Sequence, residues 1–170
     1  MNEKYLLAID PGNTQSAFCL MDREYNAIDK GKVHNALLLD YIALNCRRIH
    51  HLAVEMIASM GMAVGAEVFE TCVMIGKIEQ LADMKEIPHS RVFRKEEKMM
   101  ICNDSRAKDI NIRRALIERF ARRDLTNGKG TKKNPDHFYG FKSDIWAAFA
   151  VGVVYLDKQR EEALKRARRG

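Results

Sequence analysis

Between residues 5 and 33 the apolar positions fall in three short runs. "YLLAI" is continuous, "SAFCLMD" follows it, and "AIDKGKV" alternates between apolar and polar. Pro11-Gly12-Asn13 and the polar residues 22–26 separate them, so the pattern predicts three strands in an antiparallel meander. Asn35 then stands where a cap would start a helix through "ALLLDYIALNCRRI", and a short strand is expected over residues 52–57. After the connector "ASMGMAVG" comes a helix over 66–83, then a last strand in "SRVFRK" behind Pro88. "SRAKDINIRRALIERFA" reads as an amphipathic helix with Ile110, Ile112, Leu116, Ile117 and Phe120 on its inner face. "TNGKGTKKNPDHFYGFK" is a long irregular segment placed to touch a ligand. Ser143 is expected to cap a final helix, apolar at first and charged later. Five strands interleaved with helices make an α/β layered sheet.

Composition narrows the class without choosing the chemistry. A chain of 170 residues with 46% hydrophobic and 31% charged positions builds one soluble domain. Residues 1–157 are read as that domain and 158–170 as a basic helix end or tail. There is no apolar run of about 18 residues and no signal-peptide pattern, so the expectation is a cytoplasmic protein without membrane attachment. Cys19, Cys46, Cys72 and Cys102 are scattered without metal-ligand spacing, which predicts free thiols. A formal charge of +6 permits a nucleic-acid partner.

Three acids lie on apolar backgrounds. Asp10 ends the first strand, Glu55 interrupts "LAVEMI", and Asp144 opens the helix "DIWAAFAVGVV". Each alone has a plain alternative: a turn cap at Pro11-Gly12, the solvent side of an edge strand, or a helix-start acid favoured by the macrodipole. An ionised carboxylate in such surroundings is costly unless paired, hydrogen-bonded or bound to metal. Three carboxylates from separate elements suit the hard-oxygen coordination of Mg²⁺. Two such ions can activate water and stabilise the leaving oxygen of a phosphodiester.

Basic residues cluster after the acids. Arg91, Arg94 and Lys95 surround the fifth strand, Arg106 and Arg113 belong to the next helix, and Lys129, Lys132 and Lys133 occupy the long loop. All are candidate DNA contacts, since phosphate neutralisation supplies most sequence-independent affinity. Their plain alternative is solvated surface charge.

"LLAIDPGNTQSAFCLMD", "LAVEMI" and "SDIWAAFAVGVVYLD" resemble, in order, the opening, central strand and final helix of RuvC-type Holliday junction resolvases. "EMIASMGMAVGAEVFETCVMIGKIEQ", "RAKDINIRRALIERF" and "GTKKNPDHFYGFKSDIWAAFAVGV" are similar to the RuvC-like proteins of phages and prophages. The resemblance implies an RNase H-like fold with a mixed five-stranded sheet flanked by helices. It also implies a homodimer that nicks four-way junctions or related branched DNA, using two Mg²⁺ ions per active site with Mn²⁺ as substitute. Asp10, Glu55 and Asp144 become metal ligands; Lys108 and Lys98 take the places of the family's two active-site lysines. Met60 and Met62 sit where the family places residues that enter the junction, although core filling is an equal alternative.

The family pattern adds an acid or His three residues before the last aspartate, where this chain has Phe141. Asp136 or His137 is the candidate substitute, with water, or a site of three acids only, as the alternatives. A different chemistry also begins with strand, "DPGNT" and strand: the actin-like and sugar-kinase-like ATPases. Those need a second lobe for which 170 residues leave no room. A related nuclease preferring flaps, forks or RNA carries the same acids, whereas their retention argues against a non-catalytic junction-binding protein.

Overall fold

Alternation along the strands decides which side chains share a face. In the computed structural model, which describes residues 4–58 and 64–169, β1 (Tyr5–Asp10), β2 (Gln15–Met21) and β3 (Ala27–His34) form the expected antiparallel meander. β4 (Ile49–Met56) and β5 (His89–Phe93) extend it in parallel, giving a mixed five-stranded sheet of order β3-β2-β1-β4-β5. On one face, Tyr5, Leu7 and Ile9 of β1 join Leu52 and Val54 of β4. That layer packs on α1 (Asn35–Asn45) and α2 (Ala66–Met84) through Leu38, Ile42, Ile75 and Ile78. On the other face, Leu6, Ala8, Cys19, Met21 and Ala53 pack on α5 (Ile145–Ala167), which α4 (Asp109–Phe120) flanks to complete the same core.

α5 is buried from Ile145 to Leu156 along most of its surface and lies directly over β1 and β2. Gly152 makes that approach possible: a Cβ there would stand 2.2 Å from Met21 Sδ and 3.1 Å from Ala8 Cβ. Beyond Leu156 the helix runs on without a break into its charged half, where Lys158 pairs with Glu96.

Several boundaries differ from the sequence expectation. β5 stops at Phe93, so Arg94 and Lys95 are not strand residues but open α3 (Arg94–Cys102), a helix the apolar pattern did not signal. Its polar run carries no broad apolar stripe. It is held instead by the Glu96 carboxylate accepting the Phe93 N–H and by the Lys158 ion pair. α4 begins at Asp109 rather than at residue 105, and Ile110 is 73% exposed instead of facing the core. Ser143 is not a cap: it has φ +39, and its hydroxyl donates to Asp144 rather than to the helix backbone. Asn35 does not cap α1 either, for its side chain is spent on the loop before it. The four cysteines are free. No described helix is long and apolar enough to cross a membrane.

Candidate active site

The same alternation delivers the site. Asp10 follows Ala8 on the α5 face of β1, and Glu55 follows Ala53 on the same face of β4. Because Ala8 pairs with Ala53 and Ile9 with Val54, the next step in register sets Asp10 beside Glu55. On the other side Asp10 pairs with Ala17, and Ala17 with Lys32. A row thus crosses the sheet: Lys32, Ala17, Asp10, Glu55 and Val92. Asp144, just before α5, reaches this end of the sheet and pairs with Lys32.

The turn after Asp10 is braced from a distance. Asn35 Nδ2 donates to the carbonyls of Gly12 (2.9 Å) and Asn13 (3.0 Å), while its Oδ1 accepts the Ser16 hydroxyl at 2.7 Å. Ser16 Oγ in turn accepts the Gly12 N–H. A Cβ at Gly12 would stand 2.3 Å from the Gln15 carbonyl oxygen, so only glycine fits this turn.

Burial, and then the crowding of carboxylates, sets the electrostatics of the row. Burial, then the charge of Glu55, a hydrogen bond to it and the charge of Asp144 push the Asp10 carboxyl up to about 8. Burial and the charge of Glu97 push Glu55 up to about 7. Glu97, on α3, is wholly buried, and its own carboxyl is raised to about 7, chiefly by that burial. Asp144 goes the other way: the hydrogen bond from Lys32 holds its carboxyl below the usual range. Arg94 is the central counter-ion, pairing with Glu97 and Asp109 and standing 4.0 Å from Glu55. Glu97 Oε1 is nevertheless buried without a hydrogen-bond partner. Among the described residues no three His, Cys, Asp or Glu side chains are grouped closely enough to enclose a metal ion.

The remaining candidates fall into distinct places. Lys98 follows Glu97 on α3, and Lys108 precedes Asp109 at the start of α4; neither takes part in a salt bridge among the described residues. Arg94, read as a DNA contact, turns inward to the acids. Arg91 makes a two-pronged bond to Glu79, both arms at 2.6 Å. Lys95, Lys132 and Lys133 are exposed, Lys129 is half-buried, and Arg106 lies 4.0 Å from Asp104. Arg113 rests its guanidinium over Trp146, 4.7 Å from the ring centre. Met60 and Met62 lie outside the described residues.

Asp136 and His137 serve the long loop. The Asp136 carboxylate accepts backbone N–H groups of Arg122, Arg123, Asp124 and His137, which holds its carboxyl well below the usual range. The His137 ring stacks on Phe120, with 5.2 Å between centres. Phe141 is fully buried, edge-on to Phe138, Trp146 and Phe149, in a place that would leave an acid without water.

Sequence reasoning missed Glu97, Asp109 and Lys32. Glu97 and Asp109 sit in charged stretches that read as surface, and Lys32 meets Asp144 only because three strands bring it across the sheet.

No family model and no curated protein sequence matches the chain. Solved structures do. The Thermus thermophilus RuvC structure superposes with TM-score 0.66 at 14% identity, covering 93% of this chain and 96% of that one. T. thermophilus RuvC in complex with a Holliday junction substrate gives TM-score 0.65 at 14% identity, with 94% and 96% covered. The mixed sheet, its strand order and its flanking helices therefore make the fold RuvC-like, within the RNase H-like class.

Proposed function

We propose that the chain is a metal-dependent, structure-selective DNA endonuclease that nicks four-way junctions. The observation that carries this is the carboxylate row: Asp10 beside Glu55 at the end of adjoining strands, with Asp144 at the start of α5, on a RuvC-like fold. The donor set fits a hard divalent cation. Its oxygens are carboxylate, burial and then neighbouring acid charge raise Asp10 and Glu55, and Glu97 keeps a buried oxygen unpartnered. Asp10, Glu55 and Asp144 would hold Mg²⁺, or Mn²⁺ in its place, and such ions supply Lewis acidity and an activated water for phosphodiester hydrolysis.

The chain's own groups divide the other tasks. Lys32 offsets the charge of Asp144, and Arg94 that of Glu97 and Asp109. Lys108 and Lys98, the cations that flank Asp109 and Glu97, neutralise charge developing on the reacting phosphate. Lys95, Arg106, Arg113, Lys129, Lys132 and Lys133 supply phosphate contacts along the strands. Asp136 and His137 shape the loop that carries the last of these.

A homodimer with two such sites is part of the proposal. Leu44, Phe69, Val73 and Met84 expose apolar surface on α1 and α2, beside a groove lined by Leu39, Ala43 and Leu81. Sedimentation at micromolar concentration tests it, with twice the monomer mass expected.

The deciding experiment is cleavage of a synthetic four-way junction with Mg²⁺ or Mn²⁺, beside flap, fork and linear duplex. Paired nicks in the junction are expected, and Asp10→Asn is expected to bind it without cutting. Cleavage by Asp10→Asn at the wild-type rate would sink the assignment, and preference for a flap or fork would move the substrate class.

A further inference from the structure

A second groove adjoins the carboxylate row and has no part in the hydrolysis described above. It lies between α4 and the turn over residues 124–130, holds about 610 Å³, and is lined by Ile110, Arg113, Arg114, Leu125, Thr126 and Asn127. Arg113 also lines the small recess that contains Arg94, Asp109 and Asp144, so its guanidinium borders both spaces. Ile110 and Leu125 are 73% and 68% exposed. One exposed aliphatic side chain is ordinary, but two lining one groove beside two guanidinium groups form a built surface.

The wall of this groove is preformed. Asp124 Oδ1 accepts the N–H groups of Thr126 and Asn127, and Oδ2 accepts those of Lys129 and Gly130. Gly128 takes φ +70 against Phe138, where a Cβ would stand 2.6 Å from the ring. Little ordering is left for a ligand to induce. On the opposite wall Arg113 is held over Trp146, and Arg114 meets Glu118 at 3.6 Å with both side chains exposed, a pairing weak enough to exchange.

Two cations, two aliphatic surfaces and one amide match a nucleotide better than a lone anion or an apolar peptide. We propose that this groove takes one unstacked nucleotide of the DNA strand that passes the carboxylate row. Arg113 and Arg114 bind its flanking phosphates, Ile110 and Leu125 cover the base, and the Asn127 amide reads the base edge. The proposal rests on the nuclease reading and adds to it a site that selects sequence next to the nick.

Two arms test it, using Ile110→Ser with Leu125→Ser, and Asn127→Ala. All three side chains are exposed, and the Asn127 backbone bond to Asp124 survives its substitution. In the first arm the protein cuts junctions with randomised bases around the branch point. A base bias at the nick is expected for the wild type, flattened in Asn127→Ala, with cleavage lowered about tenfold in the double variant. A wild type without bias, or variants that keep it, would overturn the proposal. The second arm needs no cleavage: a short single-stranded oligonucleotide containing 2-aminopurine should change fluorescence on binding wild type or Asp10→Asn, and not on binding the double variant. Equal responses from all three overturn the groove. If the wild type cuts no branched DNA yet the response depends on Ile110 and Leu125, the hydrolytic reading falls and the nucleotide site stands.

Discussion

Asp10→Asn should make the metal-free protein more stable while removing its activity. The wild-type side chain is held at about 8 against an ordinary 3.8, by burial first and by Glu55 and Asp144 after it. At about 1.4 kcal/mol for each tenfold change in proton affinity, the ceiling on the cost of its charge is about 6 kcal/mol. Asparagine still buries a polar group, and protonation of Asp10 or Glu55 already relieves the share due to their repulsion, so about 2–3 kcal/mol is the expected gain. For a chain of this length that raises the melting temperature by about 5–10 °C. The sign follows from linkage. A carboxyl raised in the folded state leaves stability intact below pH 4, and stability is lost as pH rises through 8. The advantage of Asp10→Asn should therefore be near zero at pH 4, grow through neutrality and level off above pH 8. Thermal unfolding in EDTA across that range measures it, beside junction cleavage with Mg²⁺. An asparagine protein that melts at or below the wild type at pH 8 would refute the reasoning, because Asp10 would not then be a crowded charge. Mg²⁺ should narrow the gap by stabilising the wild type alone.

Arg94→Ala strips Glu97 and Asp109 of their counter-ion and should cost about 3–5 kcal/mol, since it leaves a wholly buried carboxylate unpaired. Adding Glu97→Gln should recover most of that loss in a double-mutant cycle; strict additivity would show the pair is not coupled. Gly12→Ala forces the turn away from the Gln15 carbonyl, and a misplaced Asp10 should lower junction cleavage about 100-fold with little loss of melting temperature. Normal turnover in that variant would mean the turn does not set the Asp10 position. His51, stacked on Tyr155 and beside Ser90, is pulled down to about 4 by burial and by the neighbouring charges of His50 and His89. Its unfolded form takes a proton first as pH falls from 6.5 to 4, so stability drops over that window. Because the ring is half-exposed, the drop should be about 1–2 kcal/mol, absent in His51→Gln; urea titrations with identical pH slopes for both proteins would count against it.

The strands were legible because their period of two is strong: the α5-facing Ala8 and Ala53 foretell where Asp10 and Glu55 point. α2 was legible for the same reason at helical period. What stayed hidden depends on contacts far apart in sequence. α3 has too narrow an apolar stripe to announce itself and is anchored by Lys158, sixty-two residues from Glu96. Arg94 looked like one more basic residue after a strand, yet its environment of carboxylates draws it inward. The charge of Glu97 hid its burial, since acids so deep in a protein are rare unless paired. Asp136 looked like a substitute ligand because Phe141 holds the expected position; four backbone N–H groups converge on it only once the loop has closed.

Lys32 has a second consequence that lies outside catalysis. β3 is one of the two edge strands of the sheet, with no further strand paired on its outer side among the described residues. Asp29, Lys30 and Lys32 load that edge with charge, the usual safeguard against strands of separate molecules zipping together. A substitution of Lys32 by an apolar residue, made to free Asp144, would thus also remove a guard against aggregation, and loss of soluble protein could be mistaken for loss of the enzyme.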